Sequence, residues 1–219
     1  MTRKRKITAI EPQKRHKNRR SIFLDGEFAF GVDEELVYKY GLHPDDELDA
    51  ETIVRILEAD ENKLAKNQAV RYLSYRARSE QEMRDKLSRA GISEIAVDTV
   101  ITELKAARLL DDLQFALSFI HDKMLMRPIG PLLIRQELRK RGIQAEFIDT
   151  ALDQAFSEKS PPEIAFELIQ KRYHNMRHLE WIKAKKRLAD LLYRRGFDWD
   201  STCEALEQLE KLLQAESGN

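Results

Sequence analysis

The sequence predicts a mainly α protein of tandem three-helix repeats in an elongated curved array, preceded by a small N-terminal segment containing a β-hairpin. Three observations predict it. Leu, Ala, Glu, Lys, Arg and Ile dominate a 219-residue chain with only eight Gly and six Pro, so helix is the default expectation. Gly91, Gly142 and Gly196 recur at intervals of 51 and 54 residues with apolar positions in register around them, which is the mark of a repeat. Asp25-Gly26 stands between alternating apolar residues, and this pair supplies the positive φ angles of a two-residue hairpin turn.

The first segment, 1–62, opens with two strand patterns, ITAIEPQ (7–13) and SIFLDGEFAFGV (21–32). A sheet of roughly 30 residues is not stable alone. It therefore needs the helices that follow, EELVYKYG (34–41) and a segment from Ala50 onward, with LHPDDELD as the loop between them.

From about residue 60 to 213 apolar positions recur at three and four residues, and the chain reads as helix throughout. Repeat one spans 63–110, repeat two 111–157 and repeat three 158–213, with 214–219 as a flexible tail. Their first helices are ENKLAKNQAVRYLSY, DLQFALSFIHDKML and PEIAFELIQKRY. In each second helix Met83, Ile134 and Leu188 lie eight residues before the Gly, and Leu87, Leu138 and Leu192 four before it. Ile92, Ile143 and Phe197 follow the Gly directly. A further stripe then runs through Val97, Val100 and Leu104, and through Ile148, Leu152 and Phe156; the third copy has Thr202 before Leu206 and Leu209. Each block thus reads as helix, Gly C-cap, helix.

The starts of the second helices carry their own signals. Ser79-x-x-Glu82 is a capping box, and Gly130-Pro131 places Pro where a helix does not need an N–H. The third start, around Asn175 to His178, lacks so clear a signal. LLDD (109–112) and SEKSPPE (157–163) read as linkers between repeats. Units this small bury little alone, so neighbours are expected to stack in a row.

With one cysteine, Cys203, the chain has no internal disulfide and no multi-Cys zinc site, which fits a reducing, cytoplasmic location. No apolar run reaches bilayer length, and MTRKRK leads into a strand pattern instead of a signal peptide, so no membrane association is expected. The zero net charge hides segregation. Residues 1–20 hold nine bases (Arg3, Lys4, Arg5, Lys6, Lys14, Arg15, Lys17, Arg19, Arg20) against Glu11, and residues 33–62 hold eleven acids against Lys39 and Arg55. Residues 171–195 are basic again, nine bases against Glu180 and Asp190. Separate basic and acidic surfaces are expected.

Catalytic chemistry finds little support. Neither G-x-x-x-x-G-K-[ST] nor G-x-G-x-x-G occurs, which excludes a phosphate-cradling NTPase loop. His174 and His178 have the four-residue spacing of a metal pair but no accompanying carboxylate or Cys motif, so they read as surface histidines. Asp45-Asp46 and Asp111-Asp112 stand near predicted helix starts, where a carboxylate caps the exposed N–H groups. Cys203 lies on an apolar stripe and reads as a small core residue. The chain is expected to be no enzyme and to need no cofactor or metal.

The basic residues form the candidate site. The second helices, 80–90, 131–141 and 180–195, carry three bases against three acids, four against one, and six against two. Arg127, Arg135, Arg139, Lys140 and Arg141, with Lys183, Lys185, Lys186, Arg187, Arg194 and Arg195, would make a stripe along the repeats. A solvated helix face explains such a stripe, and so does a groove following phosphates or an acidic protein surface. Tyr173, Trp181, Tyr193 and Trp199 lie among these bases, as core residues or as anchors. Three-helix units with a Gly turn are also found in helix-turn-helix DNA readers, but no dimer element or base-reading set of side chains is visible, which favours sequence-independent contact.

Three stretches carry a resemblance: RARSEQEMRDKLSRAGI (76–92), LLDDLQFALSFIHDKM (109–124) and RPIGPLLIRQELRKRGI (127–143). They resemble the pattern of the RecX family, regulatory proteins of the RecA recombinase, and ITAIEPQKRHKNRRSIFLDGEFAFGVDEELVYKYGL is similar to the N-terminus of its longer members. Met83 replaces the usual Leu, and the third repeat is recognisable mainly through RRGF. The resemblance implies tandem three-helix repeats. It also implies a protein that binds the RecA filament along its groove and inhibits strand exchange, ATP hydrolysis and co-protease activity, with a place in recombination, DNA repair and the SOS response; a cytoplasmic monomer is expected. Weak, sequence-independent contact with the DNA backbone is expected beside it, and competition for DNA is the alternative mechanism.

Overall fold

Asp25 and Gly26 take left-handed φ angles of 53° and 88° in the computed structural model, which describes residues 4–14 and 16–217. Their turn joins β2 (Arg19–Leu24) to β3 (Glu27–Asp33). On the other side of β2 lies β1 (Arg5–Pro12), and β1 in turn pairs with β4 (Glu47–Leu48), giving an antiparallel sheet of order β3-β2-β1-β4. The expected LHPDDELD loop therefore contains a strand. Two residues are too few to show the period of two by which strands are recognised.

The inward residues Ile7, Ile22, Leu24, Phe30 and Val32 form one core with Leu36 of α1 (Glu34–Lys39) and Ile56 of α2 (Ala50–Tyr75). Asp49 starts α2 by accepting from the Thr52 N–H at 2.8 Å. From there α2 runs unbroken for 26 residues, across the segment boundary expected at 62/63. Nothing in that stretch stops a helix, since it holds neither Gly nor Pro. Midway along it, the buried Asp60 accepts from Arg19 Nη2 at 2.7 Å and from the Asp33 N–H at 2.8 Å, tying the helix to two strands.

The same region corrects the expectation of separate basic and acidic surfaces at the N-terminus. Lys4 pairs with Glu47, Arg5 with Asp25, Lys6 with Asp45, Arg19 with Asp60 and Arg20 with Glu34. Most of the basic 1–20 stretch is thus neutralised by acids of its own fold. Arg3 and Arg15 lie outside the described residues.

The chain divides into two compact units, one comprising residues through Arg76 with Met83–Leu109, the other Ala77–Glu82 with Leu110 onward. Three three-helix repeats follow the sheet. The first uses α2, α3 (Glu80–Arg89) and α4 (Glu94–Ala106); the second α5 (Asp112–Met126), α6 (Pro131–Arg139) and α7 (Ala145–Ala155). The third uses α8 (Pro161–Tyr173), a 3-10 turn (His174–Met176), α9 (Trp181–Arg194) and α10 (Trp199–Ser217). The 3-10 turn accounts for the weak signal at the third start. Helix α10 runs through Ser217, so the tail expected from residue 214 is helical over 214–217, and 218–219 lie outside the described residues.

Each repeat turns on the same joint. Gly91, Gly142 and Gly196 have φ of 82°, 77° and 79°. The following residue donates back five positions, Ile92 to the Leu87 carbonyl (3.2 Å), Ile143 to Leu138 (3.2 Å) and Phe197 to Leu192 (3.1 Å). This is the Schellman arrangement, in which the apolar residue after Gly packs on the one four before it. The Leu and Ile or Phe flanking each Gly are buried for that reason.

Candidate functional site

The joints do more than end helices. In the second unit the N–H of Gly130 donates to the Arg195 carbonyl at 2.7 Å and that of Leu132 to the Gly196 carbonyl at 3.0 Å. The unpaired donors at the start of α6 thus meet the unpaired acceptors at the end of α9. The preceding joint repeats the pattern with a side chain, because Ser79 Oγ donates to the Arg141 carbonyl at 2.6 Å. The approach is so close that a Cβ on Gly196 would stand 2.3 Å from Leu133 Cβ, and one on Gly142 2.3 Å from Gln81 Cβ. At Gly91 the same position is open.

Arg141 and Arg195, each just before the Gly, are held by this architecture. Arg141 Nη1 donates to the Glu137 carbonyl (2.6 Å) and carboxylate (3.0 Å), and its guanidinium lies 4.7 Å from the centre of the Phe119 ring. The Arg141 bond draws the Glu137 carboxyl below the usual carboxylate range despite partial burial. Arg195 Nη1 donates to the Pro128 carbonyl at 2.8 Å. Both arginines are half-buried and fix the joints.

The other nine candidates divide. Arg135 is paired with Asp149. Lys185 bonds Glu210 at 2.9 Å and lies over the Trp181 ring, whose Nε1 donates to the same carboxylate at 2.8 Å. Lys183 pairs with Glu180 at 2.8 Å, but both are largely exposed, so the pair is weak. Arg127, Arg139, Lys140, Lys186, Arg187 and Arg194 are exposed and make no ion pair among the described residues. On α9, Lys183, Arg187 and Arg194 recur at four and seven residues and share one face, away from the buried Ala184, Leu188 and Leu192. The stripe expected from the sequence is therefore thinner: Arg135, Arg141, Lys185 and Arg195 belong to the packing.

Two aromatics face inward and two outward. Tyr173 and Trp181 meet edge to face, with centroids 5.9 Å apart, whereas Tyr193 and Trp199 are 79% and 77% exposed. Exposed apolar residues that the sequence hides also occur in this unit, Met126 at 88% and Ile182 at 82%. Their helical spacing reads as core, so only the structure reveals them. A groove of about 530 Å³ between α9 and α10 is lined by Trp181, Ile182, Lys186, Trp199, Leu206 and Glu207, among others. Cys203 also lines it, half-buried, where a core position was expected.

The remaining candidates take structural places. Asp111 caps α5 through the Gln114 N–H at 3.0 Å, and Asp112 accepts from the Glu80 N–H at 2.8 Å. Asp46 accepts from the His43 N–H at 2.7 Å within the loop ahead of β4, and the α2 cap is Asp49, not the Asp45-Asp46 pair. His174 opens the 3-10 turn and His178 follows it, so the two do not share an uninterrupted α-helical face. Among the described residues no three His, Cys, Asp or Glu converge as metal ligands, and no helix is long and apolar enough to cross a membrane.

Four family models match the chain: the regulatory protein RecX N-terminal domain over 5–49, and the first, second and third three-helix domains of RecX over 65–104, 111–152 and 162–206. The regulatory protein RecX of Clostridium perfringens (strain 13 / Type A) is 34% identical over 197 residues, 89% of this chain and 92% of that protein. That of Bacillus subtilis (strain 168) is 33% identical over 204 residues, 93% of this chain and 77% of the relative. A crystal structure of regulatory protein RecX superposes with a TM-score of 0.68 at 31% identity, over 90% of this chain and 96% of the other. RecX from Lactobacillus salivarius gives 0.65 at 27% identity, over 69% and 98%.

Proposed function

The chain belongs to the RecX family of regulatory proteins, and from that premise we propose that it binds the RecA–DNA filament and restrains strand exchange, ATP hydrolysis and co-protease activity without catalysis of its own. The observation that carries this reading is the set of exposed bases left without ion pairs on the second unit: Arg139 and Lys140 at the end of α6, and Lys186, Arg187 and Arg194 on α9. Exposed bases without counter-charges are available to a polyanion or an acidic protein surface at little desolvation cost. The basic 1–20 stretch contributes less charge to such contact, since acids of its own fold already pair with Lys4, Arg5, Lys6, Arg19 and Arg20.

On this reading the protein acts as a monomer in the cytoplasm, and its contact with the DNA backbone is weak and independent of sequence. A second reading, a DNA-binding protein that excludes RecA by competition, is favoured by the same bases at helical spacing on α9. RecA ATPase on single-stranded DNA separates the two. Filament action gives inhibition at protein concentrations far below those that cover the DNA; inhibition confined to near-saturating protein supports competition instead.

A further inference from the structure

The Gly register of the three repeats places Arg84, Arg135 and Ala189 seven residues before the joint, and Asp98, Asp149 and Cys203 seven after it. In the first two repeats these positions form an ion pair between the second helix and the third, Arg84 with Asp98 and Arg135 with Asp149. In the third repeat neither charge is present. Two short side chains stand where a long bridge spans the other repeats, and the groove of about 530 Å³ between α9 and α10 opens over them. Ile182 and Trp199 stand exposed on its walls, while Thr202 and Leu206 lie buried beneath. At one end Glu210 accepts from Trp181 Nε1 at 2.8 Å and from Lys185 Nζ at 2.9 Å, so these polar groups are satisfied within the protein. Lys186 on the α9 wall and Glu207 on the α10 wall make no ion pair among the described residues. The two walls differ in sign: α9 carries five bases against Asp190, and α10 five acids against Lys211.

We infer that this groove seats an amphipathic α-helix of the filament's protein, with its apolar stripe on Ile182, Trp199 and Leu206, an acidic flank over Lys186 and a basic flank over Glu207. A nucleic acid strand would bring its phosphates against the acids of α10, so charge selects against it. An extended peptide would lay unpaired N–H and C=O groups on a floor that offers only the Thr202 hydroxyl and the Cys203 thiol, whereas a helix satisfies its own backbone. Large exposed anchors on either side of a floor of small residues receive the side-chain ridge of a third helix. The inference rests on the proposed reading for the identity of the partner. It adds to that reading a protein contact separate from the exposed face of Lys183, Arg187 and Arg194.

Cys203 is the single cysteine of the chain and lines the groove, so its alkylation by iodoacetamide, read as the mass of this chain, footprints the site without a mutation. Preformed RecA filaments on single-stranded DNA, at about ten times the dissociation constant, are expected to slow the reaction about tenfold, since only the unbound fraction reacts. Bare single-stranded DNA is expected to leave the rate unchanged. Ala189→Arg with Cys203→Asp installs the bridge of the first two repeats and fills the groove. This variant is expected to keep the wild-type urea midpoint and affinity for bare DNA, and to bind the filament at least about tenfold more weakly. Trp199→Ala, at an exposed position, is expected to lose filament affinity in the same way and carries the test should the double variant not fold. Filament binding that leaves the Cys203 rate unchanged overturns the inference and keeps the filament reading; no filament binding at all removes both. Protection by bare DNA overturns it in favour of a nucleic acid site, and protection that grows with the concentration of this chain alone overturns it in favour of a second copy.

Discussion

Alanine at the three joint glycines separates conformational cost from packing cost in one experiment. All three have φ near +80°, and an alanine there loses about 1–2 kcal/mol to the left-handed backbone alone. At Gly91 nothing lies within 4 Å of the new methyl, so Gly91→Ala should cost only that. At Gly196 the methyl would stand 2.3 Å from Leu133 Cβ and 2.5 Å from the Leu133 backbone nitrogen. Backbone cannot swing aside as a flexible side chain does, so an overpacking penalty of about 1–3 kcal/mol adds to the first. Gly196→Ala should therefore cost about 2–5 kcal/mol in total. Both tryptophans, Trp181 and Trp199, lie in the third repeat, so urea unfolding followed by their fluorescence reports the Gly196 variant directly. Far-ultraviolet circular dichroism reports Gly91→Ala. Equal losses at the two sites, or a smaller loss at Gly196, would refute the view that this joint is also a docking point for α6.

Further consequences are open to measurement. Asp60→Ala strands Arg19 and the Asp33 N–H beneath α2 and should cost about 3 kcal/mol; a loss under about 1 kcal/mol in urea unfolding would mean the pair behaves as a surface one. Glu137, Glu163 and Glu210 titrate below ordinary carboxylates, held by Arg141, by the Ser160 hydroxyl and N–H, and by Lys185 with Trp181. Their stabilisation is complete above about pH 4.3, the unfolded value, and is lost as pH falls through the lower folded values. The urea midpoint of the second unit should accordingly be steady above about pH 4.3 and drop as pH falls below it, and less so in Glu210→Gln; a flat midpoint would contradict it. Arg139→Glu with Lys140→Glu should leave the helical circular dichroism spectrum intact, at a cost under about 1 kcal/mol from the reversed charge at a helix end, while filament affinity falls. Retained affinity would remove these two residues from the contact surface.

LRKRGI, residues 138–143, shows how far the sequence reaches. Its Leu138 and Ile143 are legible because the Schellman joint fixes their offsets from Gly142, and those offsets recur in Leu87 and Ile92 and in Leu192 and Phe197. The division of its three bases is not legible. Arg139 and Lys140 face solvent, but Arg141 is drawn inward by Phe119 from a helix some twenty residues earlier, and Arg195 likewise by Pro128. Such long-range partners leave no periodic trace. Strand β4 is not legible for the opposite reason, being two residues long. The neutralisation of the N-terminal bases also depends on pairing across the sheet and α2, as Arg19 with Asp60 shows, where charge counting along the chain shows only separation.

The central claim is tested most directly by titrating labelled protein onto preformed RecA filaments on single-stranded DNA, with the same DNA lacking RecA as the comparison. Wild type should bind the filament more tightly than the bare strand, and Arg139→Glu, Lys140→Glu and Arg187→Glu combined should abolish that difference while remaining folded. Equal binding of the wild type to filament and bare strand would contradict the account.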